Sequence, residues 1–198
     1  MKKFVFIIFT LIFWNTNVFA KEEIRSRFGF YITVPPNFTA VQDQNLEELF
    51  KKYKGTNLDK NAFKKLMGGV ISQDIEYFFS LDMEDPEKHS INIGVRKGDI
   101  KGINSSNIRD LCSAAKNEIS KVAGKNIQQY ACELTNKFSP KFQPTIFYYR
   151  DGLGNAKFQI QYQIQTNAGI TTFTAGCNNE RTCNLMNSYV SEMIKSIR

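Results

Sequence analysis

Four cysteines behind an export leader restrict the fold of this chain more than any other sequence feature. Three pairings are open to Cys112, Cys132, Cys177 and Cys183, and the local sequence favours one of them. Ser105 to Ala123 has helical spacing, with Asn104 or Ser105 as N-cap and Ile108, Cys112, Ala115, Ile119 and Val122 on one face. Ile127 to Leu134 then alternates, placing Tyr130, Cys132 and Leu134 on one side of a strand. Cys112 lies roughly 17 Å back from the helix end, and Cys132 lies about as far along a strand returning beside it, so these thiols meet between helix and sheet. Cys177 and Cys183 bracket the polar loop Asn178 to Thr182, which joins a strand to the last helix, and that pair closes on itself. The chain has no Cys-x-x-Cys, and its only histidine, His89, stands in a separate turn. The spacing fits no zinc signature, so the cysteines read as staples, with no metal or cofactor implied.

The leader consists of Lys2 and Lys3, an apolar run from Phe4 to Trp14 broken only by Thr10, and Val18-Phe19-Ala20 before a cut after Ala20. That run is about half of the ~20 residues needed to cross a bilayer, so it reads as a cleaved signal and not an anchor. Lys21, not a cysteine, follows the cut, which gives no support to a lipid anchor. Residues 21–198 are then expected to form a single domain, periplasmic or secreted, without stable membrane insertion. Removing the leader takes away the only Trp and leaves 24 basic against 19 acidic groups, so the net charge falls from +7 to +5. Disulfides persist in the compartments that such a leader addresses.

Phe28, Phe30, Ile32 and Val34 alternate before Pro35-Pro36 and mark a strand with one buried face. Leu46, Leu49, Phe50 and Tyr53 have helical spacing. Ala62, Phe63, Leu66 and Met67 predict a second short helix, broken by Gly68-Gly69. Ile71, Ile75, Tyr77, Phe79, Leu81 and Met83 share the parity of a long strand, which Asp85-Pro86-Glu87-Lys88 turns into another carrying Ile91, Ile93 and Val95. After the cysteine-bearing helix come strands at Ile127 to Leu134, Pro144 to Arg150, Phe158 to Gln165 and Ile170 to Gly176. A helix with Leu185, Tyr189, Met193 and Ile197 on one stripe closes the chain. Hairpin-linked strands with helices between them predict an α+β fold, an antiparallel β-sheet flanked by α-helices on both faces.

The segment Phe28-Gly29-Phe30-Tyr31-Ile32-Thr33-Val34-Pro35-Pro36-Asn37-Phe38 is followed by a helix, a long hairpin, a second helix, an antiparallel meander and a closing helix. In that motif and element order the chain resembles the PsbP/Mog-like fold, including the exported DcrB-like proteins. The resemblance implies a non-enzymatic binding scaffold. Members of that group serve as extrinsic photosystem subunits, binders of a small GTPase, envelope proteins or adaptors for type VI secretion effectors. Partner surfaces differ between these branches, so the resemblance assigns no binding residue.

Catalytic chemistry finds little purchase in the sequence. His89 follows Glu87-Lys88 and reads as an exposed turn histidine, with no serine or free thiol indicated as its partner. Asp82, Glu84, Asp85 and Glu87 offer oxygen ligands to calcium but lack the periodicity of an EF-hand. Gly152-x-Gly154 lies between strands and reads as a hairpin turn, since a phosphate loop needs a strand followed by a helix.

Two surfaces stand out for binding. Gln159, Gln161, Gln163 and Gln165 alternate with Phe158, Ile160, Tyr162 and Ile164, forming an uncharged polar row that suits hydrogen bonding to a partner backbone or a glycan. Lys51, Lys52, Lys54, Lys64 and Lys65 concentrate positive charge on the two short helices, facing an acidic partner or solvent. No aromatic-interleaved basic motif points to nucleic acid. The leading expectation is an exported, non-enzymatic protein-binding or accessory module of the cell envelope, with an unknown protein partner. An immunity protein against a periplasm-targeted toxin is its specific version. The alternative is an envelope-polymer hydrolase using paired carboxylates. N-terminal sequencing of the exported protein is expected to begin at Lys21, and retention of residues 1–20 would contradict a cleaved leader.

Overall fold

The computed structural model describes residues 21–42, 45–52, 59–71, 74–80, 89–124, 126–153 and 156–198. The leader, Lys54 and the acidic turn from Asp82 to Glu87 lie outside them. In chain order the elements are β1 (Glu22–Arg25), β2 (Tyr31–Val34), β3 (Phe38–Ala40), α1 (Leu46–Lys52), α2 (Lys60–Ile71), β4 (Ile75–Ser80) and β5 (Ser90–Arg96). They continue with α3 (Ile108–Ala123), β6 (Tyr130–Thr135), β7 (Thr145–Asp151), β8 (Phe158–Thr166), β9 (Gly169–Cys177) and α4 (Glu180–Ser196). β1 and β2 form a two-stranded sheet, and the rest form a seven-stranded sheet in the order β3-β4-β5-β9-β8-β7-β6. Every pairing is antiparallel, and the architecture is the expected α+β one.

Register explains how one sheet receives helices on two sides. Phe78 pairs with Ile91, Ile91 with Ala175 and Ala175 with Ile160, while Ile93, Phe173, Tyr162 and Phe147 make a parallel row. These side chains face α4 and the β1–β2 hairpin. There Ile32, Val34, Met186, Val190, Met193 and Ile194 complete the main core with almost no exposure. Each fully buried Ile or Phe contributes roughly 1.5–3 kcal/mol relative to staying in water. On the opposite face the described helices cover two separate patches. α1 and α2 pack Leu46, Leu49, Phe63 and Met67 on Phe79 and Tyr77, and α3 packs Ile108, Leu111 and Ala115 on Ile146, Tyr148 and Ile170.

Both disulfides form with the expected partners. Cys112 of α3 joins Cys132 of β6 with Cα atoms 5.7 Å apart, and Cys177 at the end of β9 joins Cys183 in α4 at 5.0 Å. Between the second pair, Asn179 caps α4. Its side chain accepts from Thr182 N while the Thr182 hydroxyl accepts from Asn179 N, so two otherwise orphaned donors are satisfied reciprocally. The β8–β9 turn needs Gly169 at φ 130°, where a Cβ would stand 2.6 Å from the Arg96 carbonyl oxygen.

Several local expectations are corrected. α2 runs through Gly68-Gly69 to Ile71, because packing of Phe63 and Met67 outweighs the roughly 1 kcal/mol helix penalty of a glycine. Ile71 therefore belongs to a helix, and β4 begins at Ile75. Val122 lies 80% exposed in the last turn of α3, beyond the sheet it was expected to face. The buried stripe of α4 is Cys183, Met186, Val190, Met193, Ile194 and Ile197, and Leu185 is 40% exposed. β1 and β3 carry too few residues to show a period.

Replacing Cys112 and Cys132 together by Ser is expected to lower the unfolding free energy by about 3 kcal/mol, and replacing Cys177 and Cys183 by about 2 kcal/mol. The order follows the sequence separations of 20 and 6 residues, and equilibrium urea unfolding of the two double variants checks it.

Candidate functional site

With Ile160, Tyr162 and Ile164 committed to the main core, strand alternation turns the four glutamines of β8 toward the α3 side. Gln161 pairs with Tyr148 and Thr174, Gln163 with Ile146 and Thr172, and Thr174 and Thr172 in turn oppose Asn92 and Gly94. These central residues are half-buried and polar or small, whereas the strands on either side carry the apolar clusters under α1–α2 and α3. The result is a polar trough along the middle of the sheet. Gln159 and Gln165 extend the row at its ends, and Gln165 Oε1 accepts from Ile100 N at 3.1 Å, fixing the loop before α3.

Where the trough runs beneath α3 it deepens into a cleft of about 450 Å³. Arg96, Tyr148, Arg150, Gln161 and Gln163 supply its sheet side, and α3 contributes Leu111, Ile119 and Glu118. Tyr148 OH stands 3.5 Å from Gln163 Oε1. Arg150 is only 7% exposed, its Nη1 donates to the Asp151 carbonyl at 3.1 Å, and its Nε has no hydrogen-bond partner. Burial lowers the pKa of this guanidinium from its ordinary value, with the neighbouring Tyr130 opposing that shift. Tyr130 itself is pushed up to about 12, first by burial and then by Tyr148, and its hydroxyl donates to the Cys112 carbonyl at 2.9 Å. Gln159 Oε1, directly across from Arg150 in register, is also buried without a partner.

The other residues marked in the sequence fall elsewhere. Lys51 is exposed on α1, while the Lys52 side chain and Lys54 lie outside the described residues. Lys64 and Lys60 both bind Glu47, at 3.0 and 2.8 Å, and their hydrogen bonds and charges hold its carboxyl down to about 2. Part of the basic cluster is thereby neutralised within the fold. His89 is buried at 8% exposure, not exposed in a turn, because it leads directly into β5. No group of three or more His, Cys, Asp or Glu side chains among the described residues could hold a metal ion.

Lys137, Tyr162, Asn187 and Ser191 form one linked polar set. Lys137 Nζ donates to Tyr162 OH at 3.1 Å, and Tyr162 OH donates to Asn187 Oδ1 at 2.7 Å, beside Ser191. Tyr162 and Ser191 are buried at 3% and 5% exposure, and burial pushes the phenol up to about 12, away from nucleophile activation. The set ties β8 to α4 and opens on none of the clefts described here. A second cleft, of about 530 Å³, is lined by Phe28, Phe30, Phe142, Lys101 and Lys141, and a third, of about 310 Å³, lies between Ile103 and Pro144. None of the three brings two carboxylates together.

The sequence reading passed over Arg150, although a signal for it exists. In Ile146-Phe147-Tyr148-Tyr149-Arg150 it shares parity with Ile146 and Tyr148, which places a charge on the face that α3 covers.

No protein-family model and no curated protein matches the chain. Among solved structures it is similar to the solution structure of cyanobacterial PsbP from Synechocystis sp. PCC 6803, with a TM-score of 0.48 and 6% sequence identity, covering 93% of this chain and 95% of that one.

Glu76 carries the most perturbed described carboxyl in the direction a general acid would need, raised chiefly by burial and held by Ser26 Oγ and Arg27 N. Its folded pKa lies above the unfolded value, so the folded chain binds the proton more tightly and stability falls as pH rises through and beyond the ordinary carboxylate range. The urea midpoint of Glu76→Gln relative to the parent is therefore expected to move in the variant's favour from about pH 4 to about pH 7.

Proposed function

We propose that this chain is an exported, non-enzymatic binding module of the cell envelope, and that it seats a protein partner on the polar trough at and beside the α3 cleft. The observation that carries this reading is the composition of that site. Uncharged hydrogen-bonding side chains from Gln161, Gln163, Thr172, Thr174 and Asn92 line a half-buried surface, next to a cleft that supplies a guanidinium and no nucleophile–base pair. Amides and hydroxyls of this kind satisfy partner backbone groups in either sense, donating or accepting. The leader read from the sequence and the two disulfides support an oxidising, extracytoplasmic setting, and no described helix is long and apolar enough to cross a membrane. An immunity protein that occupies a toxin delivered to the periplasm is the specific form of this proposal. The hydrolase alternative draws no support from clefts that lack paired carboxylates.

Affinity capture from periplasmic extract with the disulfide-intact chain is expected to recover one protein partner. Gln161→Arg with Gln163→Arg should abolish that recovery while circular dichroism and urea unfolding remain those of the parent. Recovery of no protein, or equal recovery by the double variant, would count against the proposal, as would release of soluble fragments from purified cell-wall polymer.

A further inference from the structure

We infer that the cleft beneath α3 is a binding site for an organic monocarboxylate, with Arg150 as the carboxylate's anchor. This rests on the cleft being the binding site of the molecule but not on the partner being a protein. Burying an ionised group is unfavourable unless it is paired and hydrogen-bonded. Arg150 is 93% buried by its 7% exposure, yet its one hydrogen bond among the described residues goes to the neutral Asp151 carbonyl, and its Nε has none. No described carboxylate forms an ion pair with it. The one acid on the cleft wall, Glu118, is engaged by Lys121 Nζ at 2.6 Å. A fold that removes a guanidinium from water and leaves it without a counterion has the electrostatics of a site completed by an anion.

Charge and surface then narrow the ligand class. With Glu118 paired to Lys121, Arg96 and Arg150 leave the cleft lining positive, which calls for an anion. A carboxylate also matches the planar guanidinium fork. Beside the charge, Gln161, Gln163 and Tyr148 offer further donors, while Leu111 and Ile119 of α3 present an apolar wall for a short aliphatic body. The volume of about 450 Å³ lies within the range of small-molecule sites. The carboxylate belongs to a free organic acid or to the C-terminus of a peptide, since both present the same group to Arg150.

The test titrates the ¹⁵N-labelled, disulfide-intact exported chain with hexanoate, hexanamide, inorganic phosphate, and a short aliphatic peptide with a free or an amidated C-terminus. Hexanoate is expected to shift the amides of Tyr148, Gln161, Gln163 and Leu111 saturably, whereas hexanamide and phosphate leave them unmoved. Arg150→Gln is expected to weaken hexanoate by about tenfold or more, the loss of one charge-assisted pair. Because that change also alters packing, Ala114→Phe, at an exposed α3 position on the cleft rim, provides a second variant, expected to block binding with Arg150 intact. Equal binding of hexanamide, tighter binding of phosphate, unaltered affinity in both variants, or no saturable shift with any carboxylate would each overturn the assignment. A free-C-terminus peptide that outcompetes hexanoate assigns the carboxylate to a chain end, and the reverse order assigns it to a free acid. Hexanoate binding in a chain that captures no protein leaves this site standing and removes the protein partner, so the two proposals fail separately.

Discussion

The rest of the structure depends on the docking of α4 against β9, β8 and β2. Met186, Val190, Met193 and Ile194 share one core with Ile32, Phe173, Tyr162 and Ile164, with essentially no residual exposure. That contact uses one side of the central strands completely. By the period-two geometry of a strand it also fixes what the other side carries. A one-residue slip of β8 would exchange Ile160, Tyr162 and Ile164 for three glutamines in the core, so the register is held by the burial of those three side chains. The Cys177–Cys183 bridge and the Asn179 cap then set where α4 begins relative to β9.

From that commitment follows the division of labour between the faces. The α4 side is an apolar interior. The α3 side is assembled from two separate apolar patches, with Asn92, Thr172, Thr174, Gln161 and Gln163 left between them. The two helical patches leave a polar strip between them, and the Cys112–Cys132 bridge holds α3 to the sheet edge.

Much of this was legible in the sequence where a period ran long enough to be read. The alternation of β8, the strand bearing Ile32 and Val34, and the disulfide partners all followed from residue spacing and reach, although the strand begins at Tyr31 and leaves Phe28 and Phe30 before it. The helix ends did not, because Gly68-Gly69 is a local breaker overruled by tertiary packing, and the face of α4 drifted by one position from Leu185 to Met186. The glutamine row was visible as a polar face, but its position beside α3 needed the strand order. Arg150 needed more still. Its burial is the joint product of β7 parity and the path of α3, and the pairing of the facing Glu118 with Lys121 leaves it without a counterion, facts that lie in segments distant along the chain.

The placement of β9 between β5 and β8 has a consequence for the order in which the chain acquires its shape. β6 to α4 is a run of neighbouring hairpins and a capped helix, whose contacts close over short stretches of chain. β5 instead waits for β9, with Ile91 opposite Ala175 across the whole of α3 and three intervening strands. That single pairing bears the greatest loop-closure entropy in the seven-stranded sheet. The amino-terminal strands accordingly have no seam to join until the carboxy-terminal half has been synthesised, so the molecule is completed from its tail toward its head.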